Sequence, residues 1–151
     1  MNQSSCFQNN LVDLSNAPWT MHEFFAGSGL VAYGLKGMFK PIWANDISEQ
    51  KAVVYKENFG DGYFKLDDIK NINGKNLPFA NLSWASFPCQ DLSLAGSLGG
   101  IHASRSGLVW EWLRVLDEMP NKPKILLLEN VLGLLSTNGG DNYRVLHMSL
   151  V

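Results

Sequence analysis

Short apolar runs alternate with amphipathic stretches along the chain from about residue 19 onward. Met21 to Phe25 is a short apolar run ending in a glycine-rich turn, which predicts a buried strand. Ser28 to Gly37 reads as a helix stopped by glycine, and Pro41 to Asn45 as a second strand. Ser48 is a good N-cap for a helix running to about Asn58, closed by Gly60. Tyr63 to Leu66 predicts a third strand, followed by a Gly/Asn-rich loop over 71–76. Leu82 to Phe87 predicts a fourth strand, and Asp91 to Ser104 a loop. Between Gly107 and Glu118, Leu108, Trp112, Val115 and Leu116 recur at helical spacing. Lys124 to Glu129 predicts a fifth, fully buried strand. A last helix starts near Asp141, with no glycine, proline or basic turn to stop it before Val151, so the chain reads as cut rather than finished.

Strands alternating with helices predict an α/β fold with a doubly wound, mainly parallel, Rossmann-like sheet. Residues 1–18 are rich in Asn and Ser and end at Pro18, which predicts a loose arm ahead of one domain over 19–151.

Composition agrees with a packed domain: 151 residues, 46% hydrophobic and 17% charged, are globular rather than disordered values. The net charge of -2 changes the picture more. DNA-binding surfaces carry a basic stripe because phosphate neutralisation drives their affinity. Either this chain does not bind DNA, or the part that would do so lies elsewhere. Two cysteines, Cys6 and Cys89, fit a reducing cytoplasmic compartment. No signal peptide opens the chain, and Ile125 to Leu128 is far too short to span a bilayer.

Three turns carry candidate chemistry. Phe25-Ala26-Gly27-Ser28-Gly29-Leu30, with Ala32, follows a strand and opens a helix in a G-x-G-x-x-A spacing. Gly27 permits a tight turn, and Gly29 would let backbone approach a ligand. Asp46 ends the second strand, where a carboxylate can accept hydrogen bonds from ribose hydroxyls. A nicotinamide dinucleotide competes as ligand, but Asp46, Asp67 and Asp68 make the pocket acidic, and a pyrophosphate needs donors. An acidic pocket edged by Phe25 and Trp43 suits a cation carrying adenosine, such as S-adenosylmethionine. The Asp67-Asp68 pair reads equally as a solvated strand end.

In the second turn, Phe87-Pro88-Cys89-Gln90, a thiol stands at the carboxyl end of a strand, a candidate nucleophile or equally a buried structural cysteine. Zinc is excluded there: Leu92 stands where a second Cys is needed, and no histidine begins an H-x-E motif. The third turn, Glu129-Asn130-Val131, puts a carboxylate at a strand mouth. Partial desolvation would raise its pKa and let it hold a proton; equally, it could cap the turn.

Together these turns resemble the DNA cytosine-5 methyltransferase family along nearly all of residues 20–150. The glycine turn looks like its cofactor motif, and Asn45-Asp46-Ile47 like its ribose and adenine contact. Asp68-Ile69 matches the motif that touches adenine. Phe87-Pro88-Cys89-Gln90, continued by Asp91-Leu92-Ser93, is similar to the catalytic loop of the DNA rather than the RNA enzymes. Ser104-Arg105-Ser106-Gly107-Leu108 resembles the segment that follows, and Glu129-Asn130-Val131 the second catalytic motif. Ser86 stands where glycine is common, and Asn81 near where an acidic residue often begins the fourth strand.

The resemblance implies S-adenosylmethionine as cofactor, held by Phe25, Gly27, Gly29, Leu30, Asp46, Ile47, Asp68, Ile69, Pro88 and Leu108. It implies Cys89 as the nucleophile toward cytosine carbon 6, Glu129 at ring nitrogen 3, and a restriction-modification role without metal. The family's later arginine-bearing segment, target recognition domain and closing helix are absent from these residues, which implies that the fifth strand lacks its neighbours and leaves apolar surface uncovered. DNA is therefore expected to be met through a separate or missing domain, and the chain as it stands to be inactive or to need a complementing polypeptide. A chain that binds S-adenosylmethionine without catalysis is the alternative from another class, and an NAD-linked enzyme the third.

Overall fold

The computed structural model describes residues 11–88 and 107–150. Five strands form one sheet: β1 (Trp19–Phe24), β2 (Phe39–Asp46), β3 (Phe64–Leu66), β4 (Leu82–Ala85) and β5 (Ile125–Leu128). Their spatial order is β3-β2-β1-β4-β5, and all four pairings are parallel. Parallel neighbours need crossovers, which bring helices onto the sheet faces. Here these are α1 (Leu30–Gly34), α2 (Glu49–Phe59) and α3 (Leu108–Glu118). Two short 3₁₀ turns, Ile69–Asn71 and Gly74–Asn76, lie between β3 and β4. Beyond β5 come α4 (Gly133–Ser136), a 3₁₀ turn at Thr137–Gly140 and α5 (Asp141–Leu150).

Alternation along the strands sorts the core into two layers. Met21 and Leu82 join Ala32, Ala52, Tyr55 and Phe59 on the face covered by α1 and α2. Phe24 and Ala85 join Ile69, Trp112, Val115 and Leu146 on the other. Trp112 is fully buried, and its indole N–H donates to the buried Ser83 hydroxyl at 3.0 Å. Pro41 lies inside β2 because the register shifts there: Met21 faces Pro41 while His22 already faces Trp43, so Ile42 is an extra residue.

The predicted order of strands and helices is present, with three differences. The helix expected over 28–37 is only Leu30–Gly34, because Gly34 and Gly37 favour the turns that follow. The short helix α4 carries no polar start signal that patterning could detect. The fifth strand is not fully buried: Ile125, Leu126 and Leu127 are 48%, 41% and 40% exposed. Among the described residues β5 is an edge strand pairing only with β4, so its apolar run faces a strand on one side alone.

β1 also hides two charge-capable side chains that its apolar pattern conceals. Glu23 is fully buried; it accepts from the Tyr55 hydroxyl at 2.9 Å and from the Ala32 N–H at 3.3 Å. Burial pushes its carboxyl up to about 7, against the downward pull of these two bonds. His22, on the opposite face, shares a 2.8 Å hydrogen bond between Nε2 and the Pro78 carbonyl, and its Nδ1 has no partner. Burial pushes His22 down to about 4, against the Pro78 bond.

The two groups oppose one another. Between pH 4.5 and about 7 the folded chain keeps a proton on Glu23 that the unfolded chain has lost, so this group lowers stability as pH rises. Between about 4 and 6.5 the unfolded chain protonates His22 and the folded chain does not, so that group raises stability as pH rises. Glu23→Gln should therefore raise stability at pH 8 by roughly 1 to 3 kcal/mol and expose the rising histidine limb. Urea titrations from pH 4.5 to 8 check this; an unchanged pH profile would sink the assignment.

Candidate functional site

The carboxyl ends of the parallel strands all open on one edge of the sheet, the usual ligand-bearing edge of doubly wound folds. The chain reverses after β1 through Phe25, Gly27 and Gly29, with φ of 56°, 57° and 86°. A left-handed phenylalanine costs on the order of 1 to 2 kcal/mol and persists only where its surroundings impose it. Much of that imposition comes from Asp46 at the end of β2. One carboxylate oxygen accepts from Gly27 N–H at 2.8 Å, the other from Ser48 N–H at 2.9 Å. Ala26 N–H donates to the Asn45 carbonyl at 2.9 Å, so the turn hangs on the end of β2 from two points.

β3 is tied in the same way. The Asn45 side-chain amide donates to the carbonyls of Lys65 (2.9 Å) and Asp67 (2.8 Å), and Asp67 N–H donates to the Asp46 carbonyl. Asp67 accepts from the Asn71 amide and pairs with Lys65 at 3.5 Å; the Asn71 bond leads in holding its carboxyl below the usual range. Asp68 caps the next 3₁₀ turn by accepting from Lys70 N–H at 3.0 Å. The pair is thus more than a solvated strand end, because each carboxylate organises backbone.

All the predicted site residues but Cys89 fall among the described residues. Gly27 and Asp46 are in direct contact. Leu30 and Ile47 flank them, 82% and 68% exposed, and offer apolar surface at the mouth of the turn. Phe25 and Leu108 are half-buried against the core layer under α3. Ile69 buries its side chain in that layer, which leaves its backbone as the part able to meet a ligand. Pro88 is exposed at the last described residue of its segment. Cys89, with Gln90 to Ser106, lies outside the described residues.

Two expectations need correction, and a third gains a second reason. Trp43 does not edge the pocket: its ring packs on Phe24 with centroids 4.7 Å apart and on His22 at 6.1 Å, three residues below Asp46. Gly29 has a structural reason to be glycine besides any ligand, since a Cβ there would lie 2.5 Å from the Phe59 ring of α2. Glu129 is exposed, because β5 is an edge strand, so the desolvation expected at its carboxyl does not occur. Its backbone is nonetheless fixed beside β4: Glu129 N–H donates to the Ala85 carbonyl at 3.0 Å. The Asn130 amide donates to the Phe87 carbonyl at 3.3 Å, two residues before Cys89. Sequence reasoning missed Glu23 and Tyr55 behind the glycine turn, and Arg114, whose role depends on what α3 packs against.

The sheet order and the glycine turn held by a strand-end carboxylate define a doubly wound parallel α/β fold, the fold that S-adenosylmethionine-dependent methyltransferases have. Comparison with known proteins narrows the class. The profile of the C-5 cytosine-specific DNA methylase family matches residues 19–150, and the chain belongs to that family. It is 33% identical over 129 residues to the type II methyltransferase M.Bsp6I of Bacillus sp. (strain RFL6), covering 83% of this chain and 40% of that protein. It is 31% identical over 124 residues to M.HhaI of Haemophilus parahaemolyticus, covering 82% and 37%. The S. pombe Dnmt2 methyltransferase shares the fold with a TM-score of 0.65 at 24% identity, covering 86% of this chain and 39% of that one. The match therefore spans well under half the length of these relatives. Family membership sets aside the nicotinamide alternative. No helix among the described residues is long and apolar enough to cross a membrane, and no cluster of three or more His, Cys, Asp or Glu among them could hold a metal ion.

Gly29→Ala should destabilise the chain by about 2 to 4 kcal/mol, combining left-handed backbone strain with overpacking against Phe59. A urea-unfolding midpoint equal to that of the parent chain would show that the turn relaxes freely.

Proposed function

We propose that this chain is the cofactor-binding and nucleophile-bearing part of a DNA cytosine-5 methyltransferase, working with a DNA-recognition part outside these 151 residues. The observation that carries the reading is the shared sheet edge. There the Asp46-tied glycine turn and the Asn130–Phe87 tie, two residues before Cys89 in the sequence, stand on neighbouring strand ends.

The residues fit S-adenosylmethionine. Each Asp46 oxygen accepts one backbone N–H and retains a lone pair for a ribose hydroxyl. Leu30 and Ile47 offer apolar faces to the adenine and methionine portions, and the Asp68-Ile69 backbone offers polar edges. When bound, the cofactor would supply a methyl group on a sulfonium.

Cys89, as thiolate, adds to carbon 6 of the target cytosine and forms a carbon–sulfur bond. The electron pair of the 5,6 double bond moves toward carbon 5 and the ring nitrogen 3 side. Glu129 meets that developing charge with a proton or hydrogen bond at nitrogen 3. After carbon 5 is methylated, loss of its proton returns the pair to the ring and expels the Cys89 thiolate. The base must first leave the duplex stack, at a cost of a few kcal/mol. In the free chain Glu129 faces solvent, so the desolvation that favours its protonated form requires the base and a covering surface to be in place. The net charge of -2 fits a division of labour in which phosphate contacts come from another polypeptide or domain.

Calorimetric titration of the chain should give saturable binding of S-adenosylmethionine and none of NAD; the reverse preference would overturn the reading. Asp46→Ala should weaken that binding about tenfold or more through loss of charged hydrogen bonds. In the complemented enzyme, Cys89→Ser should lower turnover on the order of a thousandfold or more while cofactor affinity stays within about twofold. Residual activity near the parent level would remove Cys89 from the reaction.

A further inference from the structure

Arg114 on α3 is surrounded by acceptors in an arrangement that the cofactor reading does not use. Its Nε–H donates to Glu111 at 2.8 Å, and one terminal nitrogen donates to Glu118 at 2.6 Å and to the Ile72 carbonyl at 3.1 Å. The other terminal nitrogen donates to the carbonyls of Ile69 at 3.1 Å and Lys70 at 3.4 Å. A guanidinium has five N–H donors in a rigid fork, and here each has an acceptor. Two acceptors are carboxylates on its own helix, three and four residues away, which fix the fork's orientation. The other three are the carbonyls of Ile69, Lys70 and Ile72, which span the 3₁₀ turn Ile69–Asn71 and the residue after it.

Asp67 and Asp68 fasten the front of that turn, and Ile69 and Ile72 bury their side chains in the core. The turn itself closes with two backbone bonds, Asn71 N–H to Asp68 and Ile72 N–H to Ile69. The Ile69 carbonyl already accepts from Ile72 N–H, and Arg114 is its second donor; Arg114 is also the donor to the Lys70 and Ile72 carbonyls. The approach of α3 is unusually close: a Cβ on Gly74 would stand 2.0 Å from the Val115 carbonyl, and Gly74 N–H donates to Glu118 at 2.8 Å. From successive turns of α3, Glu118 thus holds Gly74 while Arg114 holds the carbonyls of Ile69, Lys70 and Ile72. The Gly74 bond leads, and the Arg114 bond follows, in holding the Glu118 carboxyl below its usual range.

We propose that Arg114 is a positioning residue for cofactor recognition, fixing the Asp68-Ile69 backbone at the distance and angle at which it reads the adenine edge. The inference rests on the reading of that turn as the adenine contact. A lysine cannot replace the arginine, because a single ammonium has three donors and no fork to reach Ile69, Ile72 and both carboxylates together. Backbone that reads a base edge loses selectivity when it shifts by a fraction of an ångström, whereas a general loss of stability weakens all ligands alike.

The test is calorimetric titration of the parent chain, Arg114→Lys and Glu111→Gln with two ligands. One is S-adenosylmethionine; the other is its hypoxanthine analogue, in which the exocyclic amine is replaced by oxygen and ring nitrogen 1 carries a proton. The parent should prefer the adenine form. Arg114→Lys should weaken S-adenosylmethionine binding about tenfold and lose most of the preference, and Glu111→Gln should shift both in the same direction by a smaller factor. A folded Arg114→Lys chain with the parent's preference overturns the proposal. If that variant does not fold, Glu111→Gln decides, and unchanged affinity and preference there overturn it equally. A parent chain that binds neither ligand, or binds both alike, fails the adenine reading itself and takes this proposal with it.

Discussion

The two backbone N–H groups that converge on the Asp46 carboxylate are the constraint on which the site depends. A strand-end carboxylate that only waited for a ligand would leave the turn after β1 free to choose among conformations. Here it ties that turn to β2, and Asn45 beside it ties β2 to the segment after β3. Phe25 is held at positive φ inside this frame. The frame is assembled in the free protein, so a cofactor would meet a preformed mouth, and less ordering entropy opposes binding.

Behind the mouth, the packing is as exacting as the hydrogen bonding in front. Gly29 has room for nothing beyond hydrogen because Phe59 and Tyr55 press against it. Tyr55 in turn donates to the buried Glu23, whose other oxygen accepts from α1. A carboxyl in that position is held closer to its protonated form, which keeps an unpaired negative charge out of the layer under the turn. On the opposite face, Arg114, Glu118 and Gly74 tie α3 to the turn opened by Asp68. The candidate cofactor site is thus braced from both sheet faces, by different chemistry on each.

The far side of the sheet is less complete. Among the described residues β5 pairs with β4 alone, and its Ile-Leu-Leu run remains about half exposed, next to the exposed Leu132 and Leu135. The curated relatives are more than twice as long as the part matched here. Glu129 stands at the end of this strand, which explains why a residue with a proposed proton-holding role is solvent-facing. Covering that edge would bury apolar area and desolvate the carboxylate in one event.

Strand order, helix sites and the glycine turn were legible in the sequence because they follow from local periodicity and from residues with unusual backbone freedom. The family was legible for a related reason: its motifs are contiguous tripeptides at strand ends. What sequence could not fix was each residue's surroundings. The run Lys124 to Glu129 by its own pattern reads as fully buried; the family resemblance already implied missing neighbours, and the sheet order has it at the edge among the described residues. Trp43 reads as pocket or core with equal ease, and the stacking on Phe24 decided for core. Gly29 reads as a ligand contact, and α2 placed against it adds a structural reason for glycine. Glu23 is invisible as a buried acid in a linear pattern, and Arg114 resembles any surface arginine on an amphipathic helix. Local sequence determines which backbone conformations are accessible; which groups lose water, and which donors find acceptors, are properties of segments far apart in the chain that only the tertiary structure brings together.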